Sequence, residues 1–259
     1  MRTTFRQLLD REGPIFGAFL QVYCPEVVEM MAFSGLQYVI LDQEHGQLTD
    51  EQVGNLIRAA DTVGLATQVR IPEIREDLVK HALDMGAGSL KVPGVNTPEQ
   101  ARELVRLAKY APLGERGACP YVRANRWGTE DLSAYYARAN EETTLAVIVE
   151  SPEGIANIED IIRVEGIDVI GVGKVDLAVA LGIPGQTEDP RVMEALEKLS
   201  ALCAKYGKYC GSSFRDPADA ERFRGMPGMK YFNAPSLQRV LCPFYKNWTS
   251  VARSRLTAE

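Results

Sequence analysis

Eight short, nearly unbroken apolar runs punctuate this chain, at residues 16–20, 37–42, 66–70, 89–93, 145–150, 168–173, 207–211 and 229–233. Segments whose apolar residues recur with the period of a helix separate most of them. Runs this short and this apolar suit strands of a parallel sheet covered on both faces, where neither side needs polar residues. Strand–helix alternation then predicts βαβ units with right-handed crossovers. The chain has 259 residues, close to the ~250 typical of a (β/α)₈ barrel. The pattern therefore predicts a single α/β domain over 1–259, a TIM barrel. No Gly/Ser-rich linker, low-complexity run or obvious internal repeat divides it.

Helix punctuation agrees with this reading. Thr49 with Gln52, and Thr97-Pro98 with Gln100, form capping-box patterns, in which side chains satisfy the first free backbone N–H groups. Gly64 stands where the first of these helices needs a left-handed residue to stop. Thr3 to Glu12 reads as an amphipathic helix across the bottom of the barrel. The stretch from Ser236 to Leu256 contains Pro243 and predicts two helices or one kinked helix. Residues 112–140 break the alternation. They are expected to form a long excursion on the rim side between strands four and five, of the kind that often carries function.

Candidate chemistry gathers at the C-terminal ends of the strands, which in this barrel converge on the rim where active sites are built. Asp42, Glu44 and His45 follow the second run, Arg70 closes the third, Glu150 ends the fifth and Asp176 lies just past the sixth. Each carboxylate taken singly suits a helix N-terminus, because Ser151-Pro152 and Leu177 begin helical segments. Together, on neighbouring strands, Glu150 and Asp176 offer the hard oxygen ligands that Mg²⁺ or Mn²⁺ prefer, with Co²⁺ as a substitute. Arg70 offers a planar fork to a carboxylate or enolate oxygen, or a structural ion pair to Glu44 or Glu73. His45 is placed to shuttle protons near neutral pH. His81 sits mid-helix and reads as a surface or packing residue. Gly171-Val172-Gly173-Lys174 lacks the flanking residues of a phosphate-binding loop, so a nucleotide cofactor is not expected.

Charge and cysteine content narrow the setting. The formal net charge is −6, and no basic cluster is present to attract nucleic acid. Nothing approaches the roughly 18 consecutive apolar residues of a membrane span. The opening residues lack the apolar stretch of a secretory signal. The five cysteines are scattered without a Cys-x-x-Cys pair and read as reduced thiols. A cytoplasmic enzyme is expected.

At these residues the chain resembles the HpcH/HpaI aldolases. The resemblance is carried by Leu41-Asp42-Gln43-Glu44-His45-Gly46, Val69-Arg70-Ile71-Pro72, Leu83-Asp84-Met85-Gly86-Ala87-Gly88 and Val92-Pro93. Gly114-Glu115-Arg116-Gly117, Val149-Glu150-Ser151-Pro152-Glu153 and Asp176-Leu177 continue it in order. It runs from about residue 14 to 185 and weakens beyond 190. The resemblance implies a class II aldolase cleaving a 4-hydroxy-2-oxo acid to pyruvate, or hydroxypyruvate, and an aldehyde. It implies a divalent ion on Glu150 and Asp176 that stabilises the enolate, with Arg70 against the keto oxygen. His45 would move protons, paired with Asp84, while Asp42 and Glu44 hold its loop. Gly173, Lys174 and Val175 would line the 2-oxo acid, the Val175 N–H completing an oxyanion contact. A homohexamer with C-terminal helices exchanged between neighbouring barrels is also implied.

The chain departs from the family at several points. Gly173-Lys174-Val175-Asp176 stands where many relatives carry Gly-Pro-x-Asp. Lys91 replaces an apolar residue near the rim, and Gly94 a common Met. Either lysine is able to form an ion pair, bind a substrate carboxylate or form a Schiff base, and the last would make a metal-independent aldolase. The segment from Arg116 to Arg123 also differs, and Arg123 or Tyr121 is expected to hold a hydroxyl or carboxylate on the aldehyde side. So do residues 211–214 and 233–236. Two other readings stay open. An acyl-CoA thioester lyase would want a basic surface that the composition does not supply. A non-catalytic metabolite-binding barrel would not need the intact set of His45, Arg70, Glu150 and Asp176.

Overall fold

The computed structural model describes residues 3–213 and 216–257, so Phe214, one of the divergent positions above, lies outside the described residues. The strands are β1 (Ile15–Leu20), β2 (Tyr38–Asp42), β3 (Ala66–Arg70), β4 (Ser89–Val92), β5 (Thr144–Val149), β6 (Val169–Val172), β7 (Tyr209–Ser213) and β8 (Met229–Ala234). The helices are α1 (Phe5–Asp10), α2 (Pro25–Phe33), α3 (Asp50–Thr62), α4 (Glu76–Asp84), α5 (Pro98–Ala108), α6 (Leu132–Glu142), α7 (Pro152–Ala156) and α8 (Ile158–Ile162). They continue with α9 (Lys174–Ala180), α10 (Pro190–Tyr206), α11 (Ala220–Phe223) and α12 (Leu237–Thr257). Each strand pairs in parallel with the next, and β8 closes on β1, giving the expected TIM barrel.

Both faces of the sheet are buried, which is why the strands carry so few polar residues; β2 and β5 are buried at every position. Between sheet and helices lies a large aliphatic core that includes Val39, Leu56, Val69, Leu90 and Leu196. Inside the barrel a second cluster joins Tyr38, Ile40, Ala146 and Tyr231 to Phe5, Leu8 and Leu9 of α1. The expected N-terminal helix thus plugs the bottom. Phe5 meets Tyr38 edge-on at 5.3 Å, and Arg6 pairs with Asp168, which precedes β6. Capping boxes at Thr4, Thr49 and Thr97 start α1, α3 and α5. Gly64 follows α3 with φ +70°.

One expectation changes, and one pair of alternatives is decided. The 109–143 connection does not lie on the rim. Helix α5 carries the chain down to the bottom, and β5 starts there, so everything between them belongs to that end. A cavity of about 740 Å³ lined by Thr4, Arg123, Trp127 and Arg138 places the segment beside the plug helix. The C-terminal stretch forms one helix through Pro243, with no residue of it buried in the chain.

If α1 closes the barrel, Phe5→Ala should cost about 3–5 kcal/mol in a urea unfolding curve. A loss near zero would show that the plug contributes no packing.

Candidate active site

The rim is organised by a buried ion pair. Asp42 ends β2 with its side chain fully buried, and the register sets it beside Arg70 at the end of β3. Arg70 Nε and Nη2 donate to Asp42 Oδ1 and Oδ2 at 2.8 and 2.7 Å, the two-pronged geometry that suits a guanidinium. Gln21 Nε2 also donates to Asp42 at 2.8 Å, and the backbone N–H groups of Glu44 and His45 at 3.1 and 3.3 Å. Burial pushes the Asp42 carboxyl up, but these bonds and the Arg70 charge outweigh it and hold it below the usual range. Asp42 therefore folds the loop that carries His45. Gly46 is needed in that loop because a Cβ there would lie 2.1 Å from the Asp42 carbonyl oxygen. Arg70 Nη1 approaches Glu44 Oε2 at 2.7 Å. The contact is one of charges rather than an aligned hydrogen bond. The guanidinium carbon lies 4.7 Å from the Phe19 ring centre. His45 is 60% exposed, with Nε2 3.8 Å from Glu44 Oε1, so its ring is free to meet a ligand at the mouth.

Glu150 and Asp176 come from neighbouring strands, β5 and β6. Glu150 Oε1 accepts from the Gly94 N–H at 2.8 Å. Gly94 has φ +65°, which explains why a glycine stands there. A Cβ on Gly173 would sit 2.3 Å from Glu150 Oε2, so that glycine makes room for the carboxylate. Burial, then repulsion from Asp176, push Glu150 up to about 7, with Gly94 opposing. Asp176 is exposed, in the first turn of α9.

A divalent ion fits this pair. The oxygens are hard donors, and a dication relieves the mutual repulsion that raises Glu150. Among the described residues no group of three or more His, Cys, Asp or Glu side chains stands ready to hold a metal. Two carboxylates leave the remaining coordination positions to water and substrate, which suits a catalytic ion. Both acids line a cavity of about 280 Å³ with Phe19, Arg70, Lys91 and Tyr231.

Gly173, Lys174 and Val175 also line this cavity. Lys174 Nζ is taken up by Glu188 Oε1 at 3.1 Å. Lys91 lies beside Arg70 in the strand register and is only 7% exposed, buried in the wall of the same cavity. Burial, then the charge of Arg70, push its ammonium down to about 7, against the pull of nearby carboxylates.

Three residues are not brought to the site within the chain. Asp84 ends α4, and a helix C-terminus in this fold lies at the bottom; its Oδ1 accepts from Arg116 at 2.6 Å, far from His45. Arg123 donates to Asp61 Oδ2 at 2.5 Å and to the Met85 carbonyl at 2.9 Å, both at the bottom. Tyr121, 72% exposed, belongs to the same segment. Within the chain, then, neither Arg123 nor Tyr121 reaches the rim. Conversely, sequence reasoning missed Gln21, Phe19 and Tyr231, which follow or lie within strands and give no local signal beyond inward alternation. For Gly94 the Pro93-Gly94 turn was a usable sign.

The profile of the HpcH/HpaI aldolase/citrate lyase family matches residues 16–227. The chain is 36% identical over 214 residues to the 2-keto-3-deoxy-L-rhamnonate aldolase of Salmonella gallinarum, covering 82% of this chain and 79% of that protein. Among solved structures, the HpcH/HpaI aldolase from Desulfitobacterium hafniense DCB-2 superposes with a TM-score of 0.89 at 30% identity, covering 96% of each chain. The citrate synthase SbnG superposes at 0.90 with 27% identity, covering 99% of this chain and 100% of that one. Sequence, fold and the strand-end carboxylate pair agree: the chain belongs to the HpcH/HpaI aldolase/citrate lyase family and is an aldolase-type carbon–carbon lyase.

Proposed function

We propose that this enzyme cleaves a 4-hydroxy-2-oxo acid to pyruvate, or hydroxypyruvate, and an aldehyde, with Glu150 and Asp176 as ligands to Mg²⁺, Mn²⁺ or Co²⁺. The observation that carries the reading is the facing carboxylate pair in one rim cavity with Arg70. A dication held there supplies a Lewis acid for the charge that develops at the substrate's C2 oxygen. Arg70 is locked by Asp42 and Glu44, so its remaining N–H donors meet that oxygen without reorganising. His45 Nε2, exposed at the mouth, takes the proton of the C4 hydroxyl as the C3–C4 bond breaks. A 2-keto-3-deoxy sugar acid, the class in the Salmonella relative's name, is a substrate of this type.

A homo-oligomer, a hexamer on the family's pattern, completes the reading. Helix α12 exposes Phe244, Tyr245 and Trp248, an apolar surface that a second copy would cover. Asp84 reaches a His45 only from a neighbouring copy. The absence of any helix long and apolar enough to cross a membrane among the described residues, together with unpaired cysteines, suits a cytoplasmic setting.

Retro-aldol turnover should stop with EDTA and return with Mg²⁺, Mn²⁺ or Co²⁺. Arg70→Ala should lower kcat by about 10²–10³-fold with metal affinity kept. A pyruvate adduct trapped on Lys91 or Lys174 by borohydride would contradict the reading. Metal-free stability should fall as pH rises from about 4.5 to about 7, because folded Glu150 keeps a proton that the unfolded chain has already lost. Glu150→Gln should flatten that slope in urea titrations, and an unchanged slope would remove Glu150 as its source. Mixing inactive His45→Ala and Asp84→Ala chains should restore part of the activity if the two residues meet between copies. No recovery after subunit exchange would reject that pairing.

A further inference from the structure

Lys91 is a buried cation that the reading above does not use. It lies on β4 directly beside Arg70 of β3 in the strand register. Its Nζ donates to the Tyr231 hydroxyl at 3.2 Å. The Tyr231 proton goes instead to Gln68 Oε1 at 2.6 Å, and Gln68 Nε2 donates to Ser89 Oγ at 2.8 Å. That chain fixes the hydroxyl as an acceptor towards Lys91. An ammonium has three N–H donors, and this contact accounts for one. No ion pair of Lys91 with a carboxylate is found among the described residues, whereas Arg70 is engaged by Asp42 and Glu44 and Lys174 by Glu188.

The surroundings leave room for a ligand group at the Lys91 head. Its register partner on β5 is Ala146. A Cβ built on Gly171 of β6 would meet nothing closer than the Val147 carbonyl oxygen at 4.0 Å. Lys91, Ala146 and Gly171 line the same cavity as Glu150 and Asp176. Two aromatic rings, Phe19 and Tyr231, lie 5.5 and 4.7 Å from Nζ. They stabilise a cation without occupying its remaining donors. A buried, underpaired ammonium costs stability, so this position is better explained by an anion that arrives with the substrate than by packing.

We infer that the Lys91 ammonium is a substrate-binding group, donating from the barrel interior to a carboxylate oxygen of the bound 2-oxo acid. This role rests on the proposed aldolase reading, since it takes the 2-oxo acid to bind in the Glu150–Asp176 cavity. The test is calorimetric titration of the full-length protein with oxamate, a pyruvate isostere, in the presence of Mg²⁺, for wild type, Lys91→Met and Lys91→Gln. Wild type should bind, and both variants should bind at least roughly ten-fold more weakly, as expected for losing a hydrogen bond to a charged group. The Tm of Lys91→Met should be unchanged or higher, because an apolar side chain replaces a buried charge. Wild-type affinity in both variants would overturn the inference while leaving the aldolase reading intact. A lowered Tm with weakened binding in both variants would overturn it in favour of a structural role. Failure of wild type itself to bind oxamate with Mg²⁺ present would instead remove the proposed binding of a pyruvate-type 2-oxo acid in the Glu150–Asp176 cavity, and the inference with it.

Discussion

Two carboxylates held against each other at a half-buried site repel, and the architecture of this rim is arranged around that repulsion. Parallel pairing of β5 and β6 brings Glu150 and Asp176 to adjacent strand ends. Neither is neutralised by a lysine or arginine ion pair among the described residues. What the chain offers Glu150 is a backbone N–H from Gly94 and space above Gly173. Both are glycine devices, one a left-handed backbone and the other a close approach. The pair is thus left without a cation of the protein's own, and on the proposed reading a bound dication would relieve its repulsion.

The opposite wall of the cavity is built on the contrary principle. Asp42 is buried and held by Arg70, Gln21 and the Glu44–His45 backbone, and the largely buried Arg70 by Asp42 and Glu44. Removing one member would leave an uncompensated buried charge, a cost of about 3–5 kcal/mol. Arg70 is held facing the cavity, and the His45 loop is anchored at its base while its ring is exposed at the mouth. On the proposed reading, this cationic edge facing the anionic pair would orient a small 2-oxo acid.

The fold was largely legible because parallel strands buried on both faces must be apolar, and because Thr49-x-x-Gln52 and Thr97-x-x-Gln100 mark helix starts through local hydrogen bonds. The rim residues were legible for a related reason, since a polar residue ending such a strand can only face the mouth. The positions of Arg123 and Asp84 within the chain follow from topology rather than from local chemistry. Asp84 ends α4 and Arg123 follows α5, helices that run away from the rim, so both belong to the bottom, and strand–helix alternation already contains that information. Lys91 was noticed as a charge in an apolar strand, but its depth was not. Its partner, Tyr231, is 140 residues away in sequence, and no local pattern reports such a contact.

The central claim is that Glu150 and Asp176 together hold one dication. Titration with Mn²⁺ followed by electron paramagnetic resonance counts the free ion directly and needs no turnover. The account predicts one tightly bound Mn²⁺ per chain, lost in both Glu150→Gln and Asp176→Asn. Wild-type Mn²⁺ affinity in either variant would contradict it.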